Sequence, residues 1–521
     1  MKTLTSFLKG AWVKGHGKAA VLHNATTEEP IAEACTDGLD MAGALRWGRE
    51  FGGPALRRLT FTERGLICKK LADAIVAHRD ELLLLGILNA GNTRSDAKFD
   101  VDGASATFAY YAELCKSLGD ARYLVDGEAI ALGRSSRLSG QHVLTPKVGV
   151  AVHINAFNFP AWGLAEKAAT AIAAGMPFIA KPATSTALLA HRMFEVMLGS
   201  GALPEGAAQF ICGSVGDLFD HLTGQDVVAF TGSSDTAAKL RGHRRVLEKG
   251  VPVNVEADSL NLAICGPDLE SGNPTYDLFL SCVVKELTQK AGQKCTAIRR
   301  IFVKEDQVDA VVADLVDRLS QHKVGAPNLD DVTIGPLSTA QQKADALAGI
   351  RKLSAEAKIV FGGPDKLELH GTDPTKGYFV MPTLLVAAEG ESLHAVHEHE
   401  VFGPVATVIP YSDSDQVIAL AARGEGGLVA SVYSDDKTFL MDTVLGLAPY
   451  HGRVCIGGEK VAGTFVPPGT VMPHLLHGGP GRAGGGTELG GTRGMMLYMQ
   501  RTALQGFGPY LDGLAAGGKK L

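Results

Sequence analysis

The chain has 521 residues, more than one hydrophobic core usually accommodates, so its length predicts about two or three domains. Its 50 basic and 56 acidic residues leave a formal net charge of -6, which gives no indication of a surface for nucleic acid. The longest apolar stretches fall short of the roughly 18 residues of a membrane helix. The N-terminal apolar run is too short for a signal peptide, so we expect a cytoplasmic protein with no membrane partner.

The cysteines and histidines give no strong metal or disulfide pattern. The eight cysteines are scattered without CxxC pairs, which argues against a disulfide framework and a zinc site. His394, His397 and His399 fall in one predicted loop, where solvated side chains are a more ordinary interpretation than metal ligands. We therefore expect no metal centre.

The first third of the chain predicts structure rather than chemistry. Residues 1 to about 35 read as an extended arm, and residues 39–117 place apolar side chains at the helical spacings of three and four. A turn-rich segment at 124–147 alternates polar and apolar residues. It predicts a hairpin that could join a partner subunit.

Strands and helices alternate from residue 148 onward. An apolar run at 148–155 is followed by the loop AFNFP and a helical stretch at 162–175. Two more units of strand, loop and helix follow at 176–198 and 226–244. This alternation predicts a parallel sheet with right-handed crossovers, in which ligands bind at the carboxyl ends of the strands.

A second alternating series begins after residue 266 and contains Cys295, in the stretch QKAGQKCTAIRR. A cysteine is a nucleophile as its thiolate, which needs partial exposure and a nearby donor or positive charge. Gly292, Gln293 and Lys294 suit such a place. Taken alone, Cys295 is more often a small buried hydrophobic residue.

Three other polar groups stand out near the ends of predicted strands. Glu256 and Glu400 lie in largely apolar or glycine-containing stretches, where a carboxylate is costly unless it is paired or functional. Asn158 carries an amide that could donate to an oxyanion. These residues are candidates for a catalytic site with Cys295.

The stretch FTGSSDTAAK places Gly232 and Ser233 where a strand turns into a helix, a position that favours a phosphate group. A plain helix cap is the alternative, because the GxGxxG pattern of many dinucleotide sites is absent here. Lys181, at the end of a strand, could reach a ribose or a phosphate, or could be an ordinary surface lysine.

These stretches, taken in order, resemble the aldehyde dehydrogenase superfamily over essentially the whole chain. INAFNFP is similar to the family's PWNFP loop, KPATST to its KPAE/S strand end and FTGSSDTAAK to its FTGS turn. VEADSLN is similar to its ELGGKNP segment, and GQKCTAIRR and EVFGPV are similar to its cysteine and second-glutamate motifs. The resemblance implies an α/β fold with two Rossmann-like parallel-sheet domains and a small β oligomerisation arm. It implies a cofactor-binding domain at 1–123 with 148–255 and a catalytic domain at 256–473. The segments 124–147 and 474–521 would bridge the subunits of a homodimer.

The resemblance also implies roles for individual residues. Cys295 would be the nucleophile, Asn158 the oxyanion donor and Glu256 the general base, with its pKa raised by a largely apolar site. Lys167 and Glu488 fall where the family has a lysine and a glutamate behind the base, which suggests an outward proton relay. The implied reaction forms a thiohemiacetal on Cys295, transfers hydride to a nicotinamide and hydrolyses the thioacyl group to an acid.

The implied cofactor contacts come from both predicted domains. The adenosine ribose and pyrophosphate would be held by Lys181, Gly232 and Ser233, and the nicotinamide end by Glu400 and Phe402. Many NAD-preferring relatives have a glutamate where this chain has Thr184. Thr184 and Ser185 beside Lys181 could instead donate to a 2'-phosphate, so we expect NADP to be preferred, with NAD possible.

The glycine-rich ending HLLHGGPGRAGGGTELGG differs from the PFGGxKxSG of most family members, and the stretch at 492–506 reads as helical. The ending is similar to dehydrogenases of the aerobic coenzyme A pathways for benzoate and phenylacetate. This implies a small-molecule CoA-linked aldehyde as substrate, with 3,4-dehydroadipyl-CoA semialdehyde as the expected compound. A broader medium-chain aldehyde dehydrogenase is the alternative, and an inactive structural relative is disfavoured by the joint presence of Cys295, Glu256 and Asn158.

Overall fold

The structure, a computed structural model, describes residues 1–134, 137–390 and 392–521. Its framework is two mainly parallel sheets with helices packed against them, accompanied by a smaller, mainly antiparallel sheet. The predicted α/β class, with two parallel sheets and a small β arm, is confirmed. Residues 135 and 136 of the predicted hairpin lie outside the described residues.

The first sheet has seven strands within the described residues. In spatial order they are Val253–Glu256, Val227–Thr231, Ala151–Ile154, Phe178–Lys181, Ala208–Phe210, Ser6–Leu8 and Ala11–Val13. The first five run parallel, and the last two pair antiparallel at one edge. Because parallel strands end at the same edge, the loops that follow four of them open side by side.

The N-terminal segment is more ordered than the predicted extended arm. Two of its strands extend the first sheet, as above, because their free backbone groups pair with a strand edge. The others form a three-stranded sheet of Lys2–Leu4, Pro30–Ala34 and Ala20–His23.

Helices of the first half of the chain pack beside this sheet. They are Met41–Trp47, Gly53–Arg58, Phe61–Ala77, Arg79–Ala90, Arg94–Leu118, Trp162–Ala174, Ala187–Gly199, Ser234–Arg241 and Arg244–Lys249, with a π-helical turn at Gly48–Gly52. The helical layer predicted at 39–117 is confirmed. The alanine-rich helix Trp162–Ala174 contacts both Arg94–Leu118 and the sheet and is almost wholly buried. Any polar side chain on it must therefore find a partner inside the protein.

The second sheet also has seven strands in the described part of the chain. In spatial order they are Ala357–Phe361, Thr383–Ala387, Val405–Tyr411, Arg300–Lys304, Leu262–Cys265, Gly427–Tyr433 and His451–Gly457. The first is antiparallel to its neighbour and the others are parallel. The accompanying helices are Pro274–Thr288, Val308–Ser320, Ala340–Leu353, Ala395–Glu398, Ser414–Ala422 and Lys437–Leu447. Among the helices described, none has both the length and the apolar character that a membrane span requires.

A four-stranded sheet combines the predicted hairpin with the end of the chain. Its order is Met499–Phe507, Leu138–Pro146, Leu124–Ala131 and Lys519–Lys520, and the helix Gly508–Gly517 packs on it. The prediction of a helix at 492–506 is confirmed only for the short turns Thr492–Met495 and Met496–Tyr498 and is wrong from Met499 onward. Met499–Phe507 pairs with Leu138–Pro146 along its whole length, and these backbone hydrogen bonds outweigh local helical propensity.

The glycine-rich segment forms a small hairpin beside the first sheet. Its strands are Leu476–Gly478 and Thr487–Leu489, and their register places His477 opposite Glu488. A Cβ atom at Gly484 or Gly486 would lie 2.5 or 2.2 Å from the Val255 carbonyl oxygen. The absence of side chains at these two positions lets the segment pass directly against the strand that ends in the candidate base.

Candidate active site

Cys295 follows a strained turn. Lys290, Ala291 and Gly292 have φ values of 55°, 49° and 67°, in the left-handed region. Residues other than glycine rarely adopt this conformation, so surrounding contacts must hold it. The Lys290 backbone N–H donates to Asp96 Oδ1 at 2.9 Å, in a buried setting. The turn is therefore fixed by contacts with the first half of the chain.

The surroundings of the thiol differ from those expected. Lys294 is fully buried and its Nζ lies 2.7 Å from Glu286 Oε2, so its charge is paired with that buried carboxylate. Gln293 is also buried, and its side chain accepts from the Ser338 N–H at 3.0 Å. Cys295 is partly exposed, as expected. The expectation that Lys294 assists the thiol is wrong, because tertiary packing engages Lys294 and Gln293 elsewhere.

Two cavities meet at Cys295. A narrow channel of about 40 Å³ has Phe159 and Val471 in its wall. A groove of about 580 Å³ lies along the carboxyl ends of the first sheet. The residues that line both cavities include Asn158, Glu256 and Cys295. The predicted nucleophile, oxyanion donor and base thus lie together, where a molecule in the channel could meet one in the groove.

Glu256 ends its strand in a buried position, next to a histidine. Its Oε1 lies 2.9 Å from His477 Nε2, and the same nitrogen lies 3.8 Å from Cys295 Sγ. Burial on its own would raise the pKa of Glu256, but the charge and hydrogen bond of His477, with the charge of Lys167, lower this pKa to about 2. The expectation of a pKa raised by apolar surroundings is wrong, because the carboxylate has an ionic partner.

The resting thiol is held in its neutral form. Burial, followed by the negative charge of Glu256, raises the pKa of Cys295 well above its ordinary value. Formation of the thiolate therefore requires that its proton move to a nearby group or that the surrounding charge change.

His477 is absent from the residues predicted from the sequence. The signal that could have found it is a departure from the resemblance: HGG stands where the family ending has FGG. Of His394, His397 and His399, which the sequence predicts to be solvated, one is buried. His397 is buried, with Nδ1 3.2 Å from Arg300 Nη1 and Nε2 3.2 Å from the Gly390 carbonyl oxygen, so its interpretation as solvated is wrong.

A chain of hydrogen bonds leads away from Glu256. The Thr231 hydroxyl donates to Glu256 Oε2 at 3.2 Å and accepts from Lys167 Nζ at 2.7 Å. Lys167 Nζ also donates to Glu488 Oε2 at 3.0 Å, and this ion pair is almost completely buried. The structure thus brings Lys167 and Glu488 together behind Glu256, as predicted by position, and adds Thr231 as the connecting group.

Glu166 is a second acidic group in the channel wall that the sequence did not single out. Burial raises its pKa to about 8, with His477 and Lys167 opposing the shift and Glu256 adding to it. Near neutral pH this side chain is therefore mostly a protonated acid. Its position follows from the buried helix that also carries Lys167.

Two asparagine side chains face the meeting point of the cavities. Asn158 Nδ2 donates to the Gln293 carbonyl oxygen at 3.0 Å, which leaves its second N–H for another acceptor. Neither polar side-chain atom of Asn155 has a partner among the described residues, although this side chain is buried. Both residues line the channel and the groove.

The predicted ribose and phosphate contacts lie along one part of the groove. Lys181, Gly232 and Ser233 line it, and burial lowers the pKa of Lys181. Ser233 also caps the helix Ser234–Arg241 by accepting from the Thr236 N–H, so the helix-cap alternative is realised. Phosphate binding at this turn stays a prediction.

Thr184 and Ser185 lie in the short turn Thr184–Thr186, directly after the groove-lining Ala183. The Thr184 hydroxyl donates to the Gly213 carbonyl oxygen at 3.2 Å. The proton of the Thr184 hydroxyl is therefore already engaged, while its oxygen remains available as an acceptor. A contact of this pair with a 2'-phosphate stays a prediction.

Glu400 and Phe402 line the groove near Cys295. Glu400 Oε2 accepts from the Ser259 N–H at 2.9 Å, and the Arg299 guanidinium lies over the Phe402 ring at 5.5 Å. Burial raises the pKa of Glu400 to about 7, with Arg299 opposing the shift. This part of the groove offers a carboxyl group and an aromatic edge to a ribose and a flat ring.

The groove also suits an anionic ligand. Arg482 lines it, and the buried Nε and Nη1 atoms of this guanidinium have no partner among the described residues. Unpaired guanidinium donors in a groove match the geometry of a phosphate group. The donor set of Arg482, Lys181 and Ser233 therefore fits a dinucleotide phosphate.

A comparison with protein families matches residues 12–503 to the aldehyde dehydrogenase family. The chain belongs to this family. It is 47% identical over 478 residues to the 3,4-dehydroadipyl-CoA semialdehyde dehydrogenase of Aromatoleum evansii, covering 92% of this chain and 93% of that protein. It is 28% identical over 480 residues to the betaine aldehyde dehydrogenase of Bacillus subtilis, covering 88% and 93% of the two chains.

Solved structures show the same fold. The betaine aldehyde dehydrogenase of Staphylococcus aureus in complex with NAD+ has a TM-score of 0.83 at 25% identity, covering 97% of this chain and 95% of that chain. A 3,6-anhydro-L-galactose dehydrogenase in complex with NAP has a TM-score of 0.83 at 21% identity, covering 97% and 100%. The aldehyde dehydrogenase fold therefore extends over nearly the entire chain.

Proposed function

We propose that this enzyme oxidises a CoA-linked semialdehyde, with 3,4-dehydroadipyl-CoA semialdehyde as the first candidate, to the carboxylic acid with NADP+. The observation that carries the proposal is the position of Cys295, beside Glu256 and at the meeting point of a narrow channel and a large groove. The choice of substrate is supported by the 47% identical relative from Aromatoleum evansii.

In the first step Cys295 attacks the aldehyde carbon. The S–H bond breaks, its proton passes to Glu256 and the new S–C bond leaves a negative charge on the aldehyde oxygen. The free N–H of the Asn158 amide and the Cys295 backbone N–H stabilise that oxyanion. The nicotinamide cofactor, when bound, supplies the hydride acceptor. Glu400 and Phe402, which line the groove near Cys295, would hold its ribose and its ring.

In the second step water hydrolyses the thioacyl group. Once the proton taken from Cys295 has left Glu256, this carboxylate accepts a proton from the water. The water oxygen bonds to the acyl carbon, the S–C bond breaks, and the acid and the Cys295 thiolate are released. The proton must then leave Glu256, and the hydrogen bonds through Thr231 and Lys167 to Glu488 provide a continuous route. A base in this position supports hydrolysis rather than transfer of the acyl group to coenzyme A.

The channel shape supports a slender substrate. Its volume of about 40 Å³ and the aromatic side chains of Phe159 and Trp162 in its wall suit an unbranched acyl chain. A coenzyme A group is far larger, so this part of the substrate remains outside while the aldehyde reaches Cys295.

The preference for NADP rests on the residue that follows Lys181 by three positions. Thr184 carries no negative charge to repel a 2'-phosphate, whereas a glutamate there would do so. Lys181 lies in the groove wall and supplies a cation for that phosphate.

The working unit in this proposal is a cytoplasmic homodimer. The four-stranded sheet and its terminal helix expose the large apolar side chains of Ile130, Phe507 and Tyr510, at 51%, 46% and 74%. A partner subunit would cover such a surface. The eight cysteines are free, as is usual in a reducing compartment. We also propose a cofactor-binding domain at 1–123 with 148–255, a catalytic domain at 256–473 and bridging segments at 124–147 with 474–521.

The test compares two substrates of equal chain length, the CoA-linked semialdehyde and the semialdehyde of the free acid. We expect kcat/KM with NADP+ to be at least tenfold higher for the CoA-linked compound, and no turnover in Cys295→Ala. Equal values for the two compounds would favour the broader medium-chain aldehyde dehydrogenase. Turnover of neither compound by the wild type would contradict the proposal.

A further inference from the structure

The nitrogen His477 Nε2 lies between the two reacting side chains of the site. It is 2.9 Å from Glu256 Oε1 and 3.8 Å from Cys295 Sγ. One polar atom from each of Glu256, Cys295 and His477 belongs to this group, and the three atoms lie within 4.8 Å of one another. His477 is buried and lines the channel. One imidazole therefore contacts both the nucleophile and the base.

Three carboxyl groups, one thiol and two cations surround this imidazole. Those that face it from the elements packed around it are Glu166, Lys167, Glu256, Cys295, Arg453 and Glu488. Burial on its own would lower the pKa of His477, but the charge and hydrogen bond of Glu256 raise it above the ordinary value, and Glu166 adds to the rise. The Glu256 carboxylate therefore favours the protonated imidazolium over the neutral ring.

We propose that His477 is a catalytic residue whose imidazolium serves as a shared counter-ion, paired with Glu256 at rest and with the Cys295 thiolate during attack. The proposal rests on the proposed function of Cys295 as the nucleophile. It assigns to His477 the positive charge near the thiol that the sequence suggested for Lys294.

The proton balance of this step is simple. The Cys295 S–H bond breaks and an O–H bond forms on Glu256, so the negative charge moves from oxygen to sulfur. The imidazolium keeps its own proton and its attraction shifts from Glu256 to Cys295. No oxidant or further reactant is needed, and the total charge of the three side chains is unchanged. The low-dielectric site therefore never holds an unpaired anion, which would be costly.

Removal of the imidazolium has a defined electrostatic result. In His477→Gln no cation remains beside Cys295 Sγ, so a thiolate there is an unpaired buried anion and becomes harder to form. His477→Phe makes the same change in charge and keeps an aromatic ring. His191→Gln is the matched control, because His191 is also buried but lies against Trp12, with ring centroids 4.9 Å apart.

The experiment measures alkylation of Cys295 by iodoacetamide between pH 5 and 10, without aldehyde or cofactor. The modified peptide that contains Cys295 is quantified by mass spectrometry, and circular dichroism verifies the fold. We expect both His477 variants to react about tenfold more slowly at pH 7, equivalent to about one unit of thiol pKa or about 1.4 kcal/mol. His191→Gln should follow the wild type.

Two results would overturn the proposal. One is a rate profile in a folded His477→Gln or His477→Phe variant that superimposes on that of the wild type, which would make His477 a space-filling residue. The other is faster alkylation in these variants. Because the assay uses neither substrate nor cofactor, it gives a result for His477 even when every candidate aldehyde fails.

Discussion

The hydroxyl of Thr231 offers a sharp test of the proton route, because its removal changes no charge. In Thr231→Val the side chain keeps its volume but loses the bond donated to Glu256 Oε2 and the bond accepted from Lys167 Nζ. A hydrogen bond to a charged group contributes about 1.5–3 kcal/mol. If the bond to Lys167 acts in the hydrolysis step, its loss slows that step roughly 10- to 150-fold.

The assay is the formation of NADPH in the first turnover. Aldehyde attack and hydride transfer precede hydrolysis, so Thr231→Val should show a burst of about one NADPH per active site, followed by a slow steady state. Thr231→Ser retains the hydroxyl and should stay within a few fold of the wild type.

Two outcomes would refute this reasoning. Thr231→Val could turn over at the wild-type rate without a burst, which would remove Thr231 from the route. Alternatively, Thr231→Ser could be as slow as Thr231→Val, which would attribute the defect to packing.

Three further predictions concern stability and cofactor choice. Burial raises the folded pKa of Glu166 from 4.5 to about 8, so the folded protein holds a proton that the unfolded chain releases, and stability falls as pH rises from about 5 to 8. Glu166→Gln should therefore gain Tm relative to the wild type as pH rises across this window, and a constant difference would show that Glu166 is ionised. Thr184→Glu should lower kcat/KM for NADP+ by at least tenfold and change that for NAD+ much less; an unchanged NADP/NAD ratio would place the 2'-phosphate elsewhere. Lys294→Met leaves the buried Glu286 carboxylate unpaired and should lower the free energy of unfolding by about 3–5 kcal/mol, seen as a lower Tm. Substitution of an exposed lysine such as Lys69 by Met should leave Tm nearly unchanged, and a similar loss there would contradict the role of burial.

Parallel-sheet topology explains why much of the site could be predicted. Asn158, Lys181 and Glu256 all lie at or just beyond the carboxyl ends of strands that alternate with helices, and such ends meet at one edge of a sheet. Local sequence was enough to recognise that alternation, and therefore enough to predict that these side chains converge.

The partners of these residues could not be predicted in the same way. His477 reaches Glu256 across 221 positions of the chain, through a small hairpin whose glycines pass against a neighbouring strand. Thr231 reads locally as the end of a strand, and its hydroxyl acquires a role only between Glu256 and Lys167. Such contacts depend on packing of distant segments, which hydrophobic periodicity does not encode.

The errors have the same origin. Lys294 is next to Cys295 in sequence, yet its charge is turned to Glu286, so proximity along the chain was a poor guide to electrostatics. The strand Met499–Phe507 has residues that favour helices, but a free strand edge at Leu138–Pro146 determined its conformation.

The proposed mechanism requires that the acyl group is held on Cys295 during turnover, and peptide mass spectrometry of the quenched enzyme can detect this adduct. The wild type is mixed with NADP+ and 3,4-dehydroadipyl-CoA semialdehyde, quenched in acid at steady state and digested. We expect an acyl mass increment on the peptide containing Cys295, its disappearance once substrate is exhausted, and neither adduct nor NADPH in Cys295→Ala. NADPH formation by Cys295→Ala at the wild-type rate, or an acyl adduct on another residue, would contradict it.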